Sequence, residues 1–565
     1  MTKPEQSIQL SWVTFLVFAG IGFFGYLMKA VDGFQSTPGD LIDARFNSVI
    51  LEHLYRWLSL GLNGQWIDIW SPGFFYPYKD VLAFSDNHFG SGLSYILLRY
   101  LGFSREVSFS AWFTIGMSLN FVSCYWVIRR FQFSVFSSSV AAFVFAFSLP
   151  VIAQDVHSQF SYRFGIPLAF LALWNLVNNH QLRSLAWLAF WICLQFLCSI
   201  YMGVFLSLFL IVCLLPMILL MRDAKNIHLH KNIKQDNYSK WVFVGMLIFS
   251  IGGTLALGLK YHEVSQQYGF SPDLLEVNQM IPRLESYLLA DRSTLSSFIG
   301  NSYAQNLSKS PYKGEHQLFL GVGVFLFFIA GVLISLRSGA TNDSCQSIVH
   351  LQLGKVSYIA LLSLFIITLM FGVGSFWNQL TIIPGLKFIR AVSRIILIMI
   401  FPVSVLVAIA CERLYYNHFF NTDKKKLALI IFCAILICSE TLFFQQSKTP
   451  NSAWIQRIQN LERSLPSNLD QNAILFVAKD ENQPGYELPE VDAMVLAQNL
   501  SIPTINGYSG KFPPGNDHNP IERCISSEER LGSYTAFTGL PRESTIALLM
   551  KRLIKIPNTS CDQVN

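Results

Sequence analysis

The chain has 565 residues, of which 52% are hydrophobic and only 13% charged, with 48 phenylalanines. Soluble domains carry about 25% charged residues, so this composition excludes an ordinary soluble enzyme and reads as an α-helical polytopic membrane protein. The net charge of +6 is spread through loops without a long basic run, and nothing in it argues for nucleic acid as a partner.

Apolar runs of about 17 to 22 residues predict about eleven transmembrane helices. The first five run Leu10–Met28, Val107–Ile128, Val135–Ala153, Tyr162–Val177 and Leu185–Ile200. The others are Tyr201–Met221, Trp241–Leu259, Gln317–Leu336, Val356–Val373, Ile395–Cys411 and Leu427–Phe444. The first run lacks a small-residue cleavage site and is expected to stay as a membrane helix. With the N-terminus inside, the inner loops collect Arg129, Arg130, Arg183, Arg222, Lys225, Lys231, Lys234, Lys240, Arg413 and Lys424 to Lys426, a positive-inside pattern. The loops 29–106, 154–161, 260–316 and 374–394, and everything after about residue 445, are then expected outside.

The first outer loop contains PGDLIDARFNSVILEHLYRWLSLGL, where Asp40 is expected to cap a helix starting just after Pro38 and Gly39. A step of about 100° per residue puts Asp43, Phe46, Asn47, Ile50, Leu54 and Trp57 on one face and Arg45, Glu52 and Arg56 on the other. An acid aimed along an apolar stripe marks Asp43 as the centre of a reaction site. A carboxylate paired with a nearby arginine at a helix start is the plainer alternative. In SDNHFG, Asp86 and His88 are either site ligands or a helix cap and its neighbour. Gly90 to Phe103 then reads as a helix lying in the membrane interface, anchored by Tyr95, Arg99 and Tyr100.

The loop AQDVHSQFSYRFG places Asp155 and His157 where two spans leave the bilayer, a functional-site hypothesis by default. A D-x-H pair also suits a divalent metal shared with Asp43, an option left open here. KGEHQLFLG puts Glu315 and His316 at the membrane edge after Asp291 and Arg292, where a nearby helix N-terminus also favours a carboxylate. In WNQLTIIPGLKFIRAVSRIILIMIF, a helix starting soon after Pro384 and Gly385 spaces Lys387, Arg390 and Arg394 at i, i+3 and i+7. Two guanidinium forks and an ammonium then converge on a phosphate, or else snorkel to lipid headgroups.

From about Gln446 the chain turns polar. NAILFVAKD alternates like a strand, PEVDAMVLAQNL reads as a helix, SIPTINGYSG as a strand running into a turn, and STIALLMKRL as another helix. A membrane domain over 1–445 is therefore expected to be followed by a small α/β extracytoplasmic domain over 446–565. Eight of ten cysteines lie in expected spans or, for Cys345, in an inner loop. Cys524 and Cys561 belong to the outer part, where an oxidising compartment would allow them to pair.

A long first outer loop with an acid in a juxtamembrane helix, a short second outer loop with another acid, many spans and a C-terminal domain resemble the GT-C superfamily of membrane glycosyltransferases. The blocks FYPYKDVLAFSD, IRAVSR and NGYSG resemble those of poorly characterised bacterial multi-pass proteins of this type. Asp43 matches the loop-one acid, Asp155 the loop-two acid and, more loosely, Glu315 the late-loop acid of the oligosaccharyl transferase branch. This chain has DARF at Asp43 rather than an adjacent acidic pair, and D-x-H rather than D-x-D at Asp155.

The resemblance implies inverting transfer of a sugar from a polyprenyl-phosphate donor to a glycan, lipid or protein acceptor. The reaction would take place at the outer face of the bacterial inner membrane, with the N-terminus cytoplasmic and the C-terminal domain periplasmic. Asp43 would be the base, and Asp155 and His157 would orient sugar or acceptor. Asp86, His88, Glu315 and His316 would add contacts to the bound groups. Lys387, Arg390 and Arg394 would stabilise the departing phosphate. A transporter or lipid flippase would instead line its path with in-span polar residues such as Asn120, Asn175 and Glu440 and show inverted repeats. No repeat is evident, and the ionisable groups concentrate in outer loops.

Overall fold

The computed structural model describes residues 3–221, 237–271, 273–337, 345–372, 374–383, 385–386, 389–479, 486–517 and 525–556. Among the described residues, seven helices are long and apolar enough to cross a membrane: Ser11–Ala30, Arg105–Arg130, Val135–Ile152, Ile200–Leu220, Lys240–Gln267, Ile348–Thr368 and Val392–Tyr415. Leu182–Cys198 and Val322–Leu336 are apolar but shorter. The other two expected spans fall on helix Gly165–Asn179, of 15 residues, and on Asp423–Leu442, which opens with DKKK. Length and apolarity thus support seven spans where the sequence reading counts eleven, because four apolar runs form helices too short or too charged at one end to match a bilayer unaided.

The apolar 18-residue stretch of Val392–Tyr415 is wholly buried and that of Val135–Ile152 nearly so, whereas only 11% of that of Lys240–Gln267 is buried. The first two pack on one another, and Arg105–Arg130 packs on Val135–Phe147. Val322–Leu336 approaches both Val392–Tyr415 and Asp423–Leu442 through glycines. A Cβ at Gly323 would stand 2.0 Å from the Leu436 carbonyl oxygen, and one at Gly331 2.1 Å from that of Leu406. Only glycine permits such a backbone approach. In-span polar groups are held locally: Asn120 donates to the Ser161 carbonyl and accepts from the Arg163 N–H. Glu440 accepts from Ser293, Ser296 and the Val322 N–H.

The residues after 446 share a core with the first long loop. Ser36–Pro38 pairs antiparallel with Lys448–Pro450. Phe46, Val49, Phe74, Phe75 and Phe84 cluster with Leu475, Val477, Val491 and Met494. Strands Ile474–Val477 and Leu553–Ile556 pair in parallel, accompanied by helices Asn451–Glu462, Glu487–Leu500, Ser527–Thr538 and Arg542–Met550. The expected strand in SIPTINGYSG reduces to one bridge, Thr504 to Leu475, because its other backbone partners are Gly73, Phe75 and Tyr76 in the irregular first loop.

Helix Gly92–Tyr100 forms where the interfacial helix is expected, but Tyr95 is no anchor. It is buried and donates to Glu52, which Arg99 also pairs at 2.9 Å. Cys524, Cys561 and Lys387 lie outside the described residues. Seven described cysteines, Cys124, Cys193, Cys198, Cys213, Cys411, Cys433 and Cys438, are free and buried.

Candidate functional site

Asp40 starts the helix that carries Asp43. Its Oδ1 accepts from the Ile42 and Ala44 N–H groups at 3.0 and 3.3 Å, and helix Asp43–Leu62 follows, slightly later than expected. Asp43 thus sits in the first turn, where unpaired N–H groups favour a carboxylate. Gly39 just before it has φ +92°, and a Cβ there would be 3.4 Å from the Asp155 carbonyl oxygen. A glycine is needed for that conformation and because a Cβ would stand 2.9 Å from the Ala44 Cβ, while the loop carrying His157 passes at ordinary contact distance.

The centre of the site joins four side chains from four separate segments. His157 Nδ1 lies 3.3 Å from Asp43 Oδ2, while its Nε2 lies 3.4 Å from Glu315 Oε1 and 3.1 Å from Arg394 Nη2. Arg394 in turn donates to Glu315 through Nε at 3.0 Å and Nη2 at 2.5 Å. Its guanidinium stands over the Phe160 and Tyr201 rings, 5.0 and 5.3 Å from their centroids. From the far end of the chain, the Tyr508 hydroxyl donates to Asp43 Oδ1 at 2.8 Å. Asp43 and His157 remain about one quarter exposed (25% and 24%), whereas Glu315 and Arg394 are nearly closed off from solvent. The open end is therefore an acid and an imidazole, and the closed end an ion pair.

Burial raises the Asp43 carboxyl, but His157, the Tyr508 hydroxyl and the Arg394 charge outweigh it and hold the group below its ordinary range. Glu315 is held well below its range against burial, by Arg394 and His157. For His157, burial and Arg394 favour the neutral ring, yet Asp43 and Glu315 prevail and raise its pKa above the ordinary 6.5. A neutral ring with its proton on Nδ1 accepts from Arg394 at Nε2; the cation turns an Nε2 proton toward Glu315. Because the folded value is raised, the stabilisation from this bridge is complete below pH 6.5 and is lost as pH rises through the raised value. Asp43 works in the opposite sense, contributing above its ordinary 3.8 and failing only as pH falls below it. Unfolding followed against pH is expected to show an alkaline loss that His157→Gln removes; an unaltered profile in the variant would locate the titration elsewhere.

The remaining expected residues divide. Asp155 turns away from the centre: Arg292 grips it with Nη1 at 2.8 Å and Nη2 at 2.6 Å, and the Ser447 N–H donates at 3.1 Å. It is a strut between three loops, so Asp155 and His157 do not present a shared D-x-H pair. Asp86 accepts from the Ile200 N–H at 2.7 Å, capping helix Ile200–Met221, and burial raises its pKa to about 6. His88, at φ +58°, bonds Asn47 Oδ1 at 2.8 Å and Ser91 at 3.1 Å. Burial lowers it to about 3, and it acts as a neutral brace, since Asn47 also donates to Gln159 beside the site. His316 bonds Ser286 and the Gln279 carbonyl, both at 2.8 Å, and does not reach the centre.

The cationic helix is also corrected. Regular helix begins only at Ile396, after a short turn Val392–Ile395, so Arg390 and Arg394 are not one helical stripe. Arg394 is committed to Glu315, while Arg390 pairs with Glu276 at 3.0 Å and stays 37% exposed. The Tyr201 hydroxyl fixes its backbone by accepting from the Arg390 N–H at 3.1 Å. Among the described residues, no group of three His, Cys, Asp or Glu side chains is arranged to hold a metal ion. Tyr508 and the Arg292 partnership escape the sequence reading; the only signal for Tyr508 is an aromatic residue in the turn NGYSG.

Fold and site together describe an α-helical protein with several membrane-length helices and an acid–imidazole–guanidinium chain that is part-exposed at Asp43 and His157 and buried at Glu315 and Arg394. No family model matches the chain, and no curated protein matches it either.

Proposed function

We propose that the protein is a membrane glycosyltransferase of GT-C type, moving a sugar from a polyprenyl-phosphate donor to an envelope glycan, lipid or protein. The observation that supports it is the part-exposed Asp43–His157 pair, braced behind by Glu315 and Arg394 and met in front by Tyr508. In this reading the acceptor hydroxyl oxygen bonds to the anomeric carbon as the bond from that carbon to the phosphate oxygen breaks with its electron pair. Asp43 takes the hydroxyl proton, His157 holds the carboxylate in place, and prenyl phosphate leaves. Arg390, a part-exposed cation paired with Glu276, would face the leaving phosphate. The setting is the outer face of a bacterial inner membrane, with the N-terminus cytoplasmic and residues 446–565 periplasmic. A transport pathway has less to stand on, since Asn120 and Glu440 are bound by local partners.

The test is purified protein incubated with polyprenyl-phosphate sugars and an envelope extract as acceptor. Release of prenyl phosphate above a protein-free control is expected; no release with any sugar would sink the proposal. Arg390→Ala is expected to raise the donor KM about tenfold with the fold intact. An unchanged KM would return Arg390 to ordinary headgroup anchoring.

A further inference from the structure

The back of the Asp43 helix carries a second charged cluster that the transfer chemistry does not use. Arg45 lies about 200° round the helix from Asp43 and is fully buried. Its Nη1 pairs with Asp492, which also takes the Arg457 fork, but its Nε and Nη2 have no partner. One turn on, Ser48 accepts from Arg105 Nε at 2.8 Å, and both Arg105 Nη atoms are buried and unpartnered. Arg105 opens helix Arg105–Arg130, and Ser108 in the same turn has a buried hydroxyl without a partner. Phe109 next to it lies 5.8 Å from the Trp454 ring, which lies 5.8 Å from the Arg45 guanidinium. The Trp454 indole N–H is orphaned as well.

Five buried nitrogens and a hydroxyl are therefore left without partners on these neighbouring segments, and every nitrogen among them is a donor. Among the described residues, Arg45 and Arg457 pair there with Asp492 and Arg99 with Glu52, whose charge Arg105 also feels, so four guanidinium groups meet two paired carboxylates. Water would satisfy the N–H groups but not the surplus charge, and a buried guanidinium without a counter-ion is unfavourable. The start of a 26-residue helix adds its own positive end. We infer that an oxyanion of the phosphate class, either free phosphate or the phosphate of a lipid headgroup, binds between Arg45, Arg105, Ser108 and Trp454. Two guanidinium groups, an indole N–H and a hydroxyl are the kinds of donor that a tetrahedral oxyanion takes. The anion clamps the Asp43 helix to the start of Arg105–Arg130 and to helix Asn451–Glu462, on the side away from the transfer site. The inference does not rest on glycosyl transfer.

The experiment uses the full chain, stripped of phosphate and sulfate in detergent. Its melting temperature is followed as inorganic phosphate is added and, separately, in vesicles of phosphatidylcholine with and without phosphatidylglycerol. A rise with inorganic phosphate identifies the free anion; a rise only with phosphatidylglycerol identifies a headgroup. In either case a cryo-EM map is expected to show a tetrahedral feature between Arg45 and Arg105. Arg105→Gln keeps a donor for Ser48 and is expected to weaken the response about tenfold or more. An equal response in that variant, or a wild type indifferent to both ligands with only water at the spot, overturns the inference. Should the variant not fold, the wild-type titrations and the map decide.

Discussion

Asp43→Asn is expected to lower sugar transfer by about 100-fold or more while the protein still folds. The amide has the shape of the carboxylate and keeps an oxygen for the Tyr508 hydroxyl, so the turn that carries it is preserved. It has no means of taking the acceptor's proton, and it withdraws the negative charge that faces His157 Nδ1 at 3.3 Å. The site is one quarter exposed at this residue, so the change leaves no charge stranded in the interior. Single-turnover transfer, read beside a melting curve of the same preparation, separates the two effects. Equal rates would remove Asp43 from the mechanism; a lost fold would make it a structural acid.

Glu315→Gln should act on stability more than on chemistry, at a cost of about 3–5 kcal/mol. Its carboxylate receives the Arg394 fork, the Ser393 hydroxyl and, on its outer side, His157. Side-chain exposures of 8% and 10% leave water little room to replace it, so a neutral amide strands the Arg394 charge. Against the roughly 5–15 kcal/mol that holds a typical domain together, such a loss is large. Combining it with Arg394→Met removes the stranded charge and should recover much of the melting temperature, because an apolar pair avoids desolvating ions. A single variant that melts like wild type would mean that Arg394 has another counter-ion, and the brace behind His157 would lose its meaning.

These two residues also show what local sequence conveys. Asp43 is legible because a helix start fixes its direction: the cap position falls at Ile42 rather than Asp40, but the Asp40 carboxylate still binds the Ile42 and Ala44 N–H groups, and the fixed rotation per residue does the rest. Arg390 and Arg394 illustrate the failure of the same argument. Their spacing matters only inside one regular α-helix, and that begins at Ile396, after Arg390 and after the tight turn Val392–Ile395 that holds Arg394. One of them is consequently drawn to Glu315 and the other to Glu276.

The sequence by itself determined the membrane class, the positions of the long apolar helices and the acids worth examining, since hydropathy and helical rotation act over a few neighbouring residues. Tertiary structure alone decided which of those acids meet. Asp155 and His157 are two residues apart in a segment without regular structure, so nothing local ties their directions together. One is claimed by Arg292, 137 residues away, and the other joins Asp43 and Glu315. The choice follows from where distant cations come to rest once the buried helices have packed, because a charge leaving water goes to the counter-charge that packing places beside it.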